Sequence, residues 1–109
     1  MKPSTVTRAV MTVDEAVAVL QSLRTRPLEA TERDERMKRG LRAQKSLNPF
    51  LKADILSELA LVRETGTEFW SDDKVLYRRL RQQLADELSV SFGVNEEEVE
   101  ARLIGAGIL

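Results

Sequence analysis

The chain contains no cysteine and no histidine. The first absence removes disulfides, thiolate metal sites and thiol nucleophiles by counting alone. The second reaches further, because histidine is the commonest general base and a frequent metal ligand near neutral pH. Any enzyme made from this chain would work with carboxylates, serine and lysine alone, so no catalytic, cofactor-binding or metal-binding residue is assigned. Aromatic residues are scarce, one Trp, one Tyr and three Phe. None of them interleaves with the main basic run, so recognition of single-stranded nucleic acid by base stacking has no footing. No apolar run approaches the ~18–20 residues that cross a bilayer. The opening MKPSTVTRAV lacks the continuous apolar stretch of ~7–15 residues that a secretory signal needs. A cytoplasmic location without a membrane partner is the expectation.

What is present reads as one helical domain. At 109 residues a second independent core is not expected, since domains cluster near ~100–150 residues. Charged residues reach 32%, above the usual ~25%, which predicts a narrow core under an ionic surface. The net charge of −1 conceals a polarity: residues 1–52 hold 11 Lys and Arg against 6 Asp and Glu, whereas residues 53–109 hold 6 against 12. Such polarity can steer a partner, draw the two halves together, or favour head-to-tail association of two copies.

Residues 1–10 have no periodic pattern and read as a leader, with the domain spanning 11–109. Thr12 and Glu15 form a capping-box pattern for a first helix, whose face is expected to carry Val13, Ala16, Val17, Leu20 and Leu23 until Pro27 stops it. The segment from Glu29 to Leu47 predicts a second helix with a thin apolar stripe of Met37, Leu41 and Leu47, weakened by Gly40 at ~1 kcal/mol relative to Ala. Asn48-Pro49 opens a third helix that runs to about Glu64 and stops at Thr65-Gly66. Its apolar arc is too wide for one flank, which makes it the central helix. A fourth begins at Ser71, with Asp72 and Asp73 favoured by the helix dipole, Trp70 and Val75 as a staple, and Leu76, Leu80, Leu84 and Leu88 facing helix three. Asn95 caps a fifth, with Val94 and Val99 as its staple. Gly105 and Gly107 are expected to fray its end, while Ile108 and Leu109 fold back onto the core. No segment alternates as a strand would, so the predicted fold is all-α, a compact four- to five-helix bundle.

The stretch Leu88 to Ile108, LSVSFGVNEEEVEARLIGAGI, has helix-turn-helix spacing, with Gly93 at the corner and Phe92, Val94, Val99 and Leu103 as the apolar glue. It also resembles the helical tail of ImmA/IrrE-type metallopeptidases over about a fifth of the chain, through Phe92, Val94, Val99, Arg102 and Leu103. That family's zinc-binding H-E-x-x-H has no counterpart in a chain without histidine, and no catalytic residue carries over. In helix-turn-helix docking the second helix offers its first residues to base edges. Here those are Glu96, Glu97 and Glu98 with Glu100 behind, and carboxylates repel the phosphates that Lys and Arg would neutralise. The corner therefore reads as architecture or as a protein-facing surface.

The candidate partner-binding residues are Arg36, Lys38, Arg39, Arg42 and Lys45 on the basic second helix, with Glu96, Glu97 and Glu100 on the fifth. The same sequence offers Arg36, Arg39, Arg42, Arg78 and Arg81 as alternative nucleic-acid contacts, with Asp73 or Asp86 as ion-pair partners for the last two. Trp70 reads as core or staple before exposed anchor. The function expected is a small regulatory or adaptor protein of a bacterial kind working through protein–protein contacts, with homodimerisation through opposite halves as one form of that. A DNA-binding regulator is the alternative, and a carboxylate-only enzyme the third class.

Overall fold

Among the described residues, 11–66 and 69–108, the computed structural model has five helices: α1 (Val13–Arg24), α2 (Arg33–Lys45), α3 (Pro49–Thr65), α4 (Ser71–Phe92) and α5 (Glu96–Gly105). No strand occurs among these residues, and the fold is an all-α bundle. The leader expected over residues 1–10 and the fold-back of Leu109 lie outside them.

Local chemistry sets the helix boundaries. The Thr12 hydroxyl accepts from the Glu15 N–H (3.1 Å) while the Glu15 carboxylate accepts from the Thr12 N–H (2.9 Å), which closes the expected capping box. Asn48 accepts from the Phe50 N–H ahead of Pro49, and Asn95 accepts from the Glu98 N–H, both at 2.9 Å. The start of α4 differs from expectation. Its cap position is Trp70, whose N–H donates to Asp73 (2.9 Å), so Ser71 is already inside the helix. Trp70 and Val75 both stay exposed instead of closing a buried staple. The end of α5 is sealed and does not fray. Gly107 takes a left-handed φ of 84°, which lets the Gly107 N–H reach the Ile104 carbonyl and the Ile108 N–H reach the Leu103 carbonyl, each at 2.9 Å. Ile108 and Leu103 are both fully buried, so the turn closes over an apolar contact.

The third helix is central, packing against α1, α2 and α4. Leu56, Leu59, Leu80, Leu84, Leu88, Leu103 and Ile108 are fully buried in one cluster, each worth roughly 1.5–3 kcal/mol of apolar burial. On α1 the buried stripe is Ala16, Val19, Leu20 and Leu23, while Val13 and Val17 face outward. Three of these positions were expected. The i, i+3, i+4, i+7 register starts at Ala16 and not at Val13, so Val19 replaces Val17 in the contact with α3.

The second helix overturns its expected stripe. It is shorter than Glu29–Leu47, and Leu28, Leu41 and Leu47 are exposed; its buried residues are Arg36, Gly40 and Ala43, with Met37 partly covered. At 100° per residue, positions 36, 40 and 43 share one narrow arc, and the helix presents that arc to α3 and α4. Gly40 is there because the helices meet closely. A Cβ built on it would overlap Leu76 Cδ2 and lie 3.5 Å from Ile55 Cγ2.

Candidate functional site

The polarity between the two halves of the sequence is spent largely on joining them. Ion pairs run from the basic half to the acidic half at Arg26–Glu64 (3.3 Å), Arg33–Asp72, Arg33–Asp73 (3.4 Å), Arg39–Glu58 (2.5 Å) and Lys52–Glu87 (3.5 Å), with Arg36 4.0 Å from Glu58. Several of these groups have left the surface on which the sequence had placed them.

Glu58 is a buried carboxylate that faces α2. It lies on the buried arc of α3, where it accepts from the Thr31 N–H (2.7 Å), the Thr31 hydroxyl and Arg39 Nη2 (2.5 Å). Burial opposes its ionisation, but the Thr31 and Arg39 hydrogen bonds outweigh that and hold its carboxyl below the usual carboxylate range. Arg36, only 2% exposed, donates to the Thr31 carbonyl (2.6 Å) beside it. Arg36 is therefore corrected from a contact residue to a core residue, for partner protein and nucleic acid alike. Arg39 keeps only an edge in solvent. Its substitution would report on folding before binding.

A second knot joins the starts of α2 and α4. The Arg33 guanidinium lies 4.4 Å over the Trp70 ring and bonds Asp72, while its Nε approaches the fully buried Asp73. The Arg33 hydrogen bond lowers the Asp72 pKa, and Asp72 raises that of Arg33. One face of the Trp70 ring is thus covered by a cation while the rest of the side chain stays exposed, so Trp70 helps to join the starts of the two helices. A third fastening is made by Arg26, just ahead of Pro27. It donates to the Leu23 carbonyl, to the Gly107 carbonyl (3.0 Å) and to Glu64 (3.3 Å).

What remains solvated on α2 is a coherent face. Lys38, Leu41, Arg42 and Lys45 are all exposed and fall within roughly a 100° arc opposite the buried residues. None of the three cations has an ion-pair partner among the described residues. Leu51 of α3, also exposed, borders the same edge and shares a shallow cleft of about 100 Å³ with Arg42 and Asp54. Sequence reasoning missed Leu51, which carries no signal until α2 and α3 are placed side by side.

At the C-terminal corner α4 and α5 are joined by residues 93–95. Arg81 forms a two-pronged pair with Glu100 (2.8 and 2.6 Å), not with Asp73 or Asp86, and holds the Glu100 pKa low. With Glu100 44% exposed, the pair is worth about 1 kcal/mol at most. It takes Arg81 and Glu100 out of the freely available contact set. Glu98 pairs with Arg102, which lies 4.3 Å over Phe92; Glu96 and Glu97 are exposed at the helix start, where the dipole favours them. Arg78 is exposed on the other side of α4, beside Arg63 and Lys74.

A groove of about 590 Å³ lies along α1 and α3 and includes Ser22, Arg39, Asp54, Ser57 and Glu58. Most of its polar atoms are engaged: Ser57 donates to the Ser22 carbonyl (3.0 Å), and Glu58 is held as above. Asp54 and Glu58 are one turn apart, but a carboxylate kept ionised by an arginine is a poor proton donor near neutral pH. Among the described residues no group of three or more Asp and Glu is placed to hold a metal ion, and no helix is long and apolar enough to cross a membrane.

No protein-family model, no curated protein and no solved structure matches the chain.

Proposed function

We propose that this protein is a small adaptor that binds an acidic, leucine-bearing segment of another protein along the outer face of α2. The observation that carries this reading is the division of labour among the basic residues of one helix. Arg36 and Arg39 turn inward to Glu58, while Lys38, Arg42 and Lys45 stand unpaired around exposed Leu41. Unpaired cations beside exposed apolar side chains complement a helix or strand of mixed Glu and Leu composition, with carboxylates for the cations and apolar side chains for Leu41 and Leu51.

Duplex DNA is a poorer fit to this face. Three cations neutralise about three phosphates, and affinity for DNA rises with the number neutralised. The flanking Asp34 and Glu35 are exposed as well and would face the duplex backbone.

The test is a titration of the isotope-labelled protein with a synthetic Glu/Leu peptide and, separately, with a DNA duplex, each over rising salt. The peptide is expected to shift the amides of residues 38–45 and of Leu51. Changing Leu41→Ser and Arg42→Glu together should weaken it by at least about tenfold, ~1.4 kcal/mol, with helicity unchanged. DNA binding that falls steeply with salt, without a peptide response, would replace this reading by the DNA one. Concentration-dependent association of the protein alone, abolished by Glu96→Lys with Glu97→Lys, would identify the acidic segment as that of a second copy.

A further inference from the structure

A different face of the bundle carries a cleft that the α2 surface does not use. It lies where the last turns of α3 meet the first turns of α4, encloses about 270 Å³, and is lined by Arg63, Phe69, Lys74, Tyr77 and Arg78. Three of the five are cations and two are aromatic, and no carboxylate is among these described lining residues. Elsewhere on the molecule most arginines are tied to Asp or Glu; Lys74 and Arg78 have no ion-pair partner among the described residues.

The aromatic side of the cleft is built around Tyr77. The Tyr77 hydroxyl is buried without a hydrogen-bond partner among the described residues, although the residue is only 5% exposed. Its oxygen is closed to solvent and interacts electrostatically with Arg81, so it is the Tyr77 ring and not the hydroxyl that borders the cleft. That ring is fixed from both sides, by Phe69 edge-on at 6.1 Å and 87° and by the Arg63 guanidinium 5.8 Å from its centroid. The Arg63 guanidinium thus already lies against the Tyr77 ring at the cleft in the free protein.

The geometry points to a binding site for a phosphate dianion, free or as the ester of a small organic group. Two guanidiniums offer planar forks suited to phosphate oxygens, and Lys74 adds a point charge. Lys74 and Arg78 share one face of α4 at i, i+4 spacing, so both reach the same mouth. The volume limits the ligand: it is slightly below the ~300 Å³ at which sites for drug-sized molecules begin, so a phosphate with a ring-sized substituent fits and a dinucleotide does not. Phe69, half-buried at the edge, supplies an apolar wall for that substituent.

The experiment titrates the labelled protein with inorganic phosphate and with phenyl phosphate at constant ionic strength. Saturable shifts are expected at residues 63, 69, 74, 77 and 78. Arg63→Gln with Arg78→Gln, both exposed and outside the core, should weaken binding by about tenfold or more while leaving the spectrum folded. Lys38→Gln with Arg42→Gln should leave binding unchanged, which separates this site from the α2 face. If phenyl phosphate binds several-fold tighter than inorganic phosphate, the ligand is an ester; if the two bind equally, it is the free ion. Shifts spread evenly over exposed cations without saturation, or an Arg63/Arg78 double variant within about twofold of the parent, would overturn the proposal.

Discussion

Replacing Glu58 by alanine is expected to lower stability by about 3 kcal/mol, the lower end of the ~3–5 kcal/mol range for breaking a buried ion pair. The reason lies in what is left behind. Arg39 is partly exposed and can swing to water, whereas Arg36 is held under the Thr31 loop with its charge enclosed. Urea denaturation should show the loss, and Tm should fall by more than about 10 °C. A second change, Arg36→Met, should restore part of the stability in the Glu58→Ala background, because it removes the stranded charge and keeps the volume. The pH dependence has a definite sign. The folded carboxyl titrates below its ordinary 4.5, so its contribution is present in full above that value and is lost as pH falls through the depressed one. Parent and Glu58→Ala should therefore differ most near neutral pH and converge in acid. A variant within about 1 kcal/mol of the parent at pH 7 would show that Glu58 holds nothing together.

Gly40→Val should cost about 2–3 kcal/mol, even though the helix scale alone predicts a small gain from replacing glycine. The added side chain must enter space occupied by Leu76, which is 3% exposed, with Ile55 behind it. Overpacking of this kind costs typically 1–3 kcal/mol. Because Leu76 is buried, relieving the overlap means repacking it or moving α2 away from α3 and α4. Gly40→Ala tests the same point more finely. Propensity would make it stabilising by ~1 kcal/mol, while the overlap makes it neutral or worse. Denaturation midpoints decide, and a clear stabilisation by alanine would show that α2 stands further off than described here.

These two residues also mark where the sequence was legible and where it was not. Helix existence, order and most boundaries follow from caps and spacing that act within a few residues: Thr12 with Glu15, Asn48 with Pro49, Asn95 with Glu98. The leucines of α4 fell where a period of 3.6 puts them. The second helix resisted the same treatment because its contact with the core is made by a glycine, an alanine and an arginine, none of which counts as apolar bulk. Its visible leucines were then assigned to the inside when they face out. Arg36 and Glu58 are 22 positions apart, and no local pattern pairs them. One signal was nevertheless available. A helix read as central, with apolar residues around most of its circumference, leaves its own Glu58 and Lys52 no route to solvent, and each then requires an opposite charge from elsewhere. The basic half of the chain was the large source for Glu58, and the acidic half for Lys52, which pairs with Glu87. The candidate surface was legible to the same degree: the basic helix was identified, but which of its cations are free depended on partners outside it.

Arg26 ties together segments that lie 38 and 81 positions apart in the chain, at Glu64 and at Gly107. Because the carbonyl-rich ends of α1 and α5 and the last turn of α3 meet on that single side chain, loosening one is expected to weaken the hold on the others. In deuterium-exchange terms the three termini are expected to behave as one opening unit. Their amide protons should wash out together, at a rate set by the guanidinium rather than by the length of each helix.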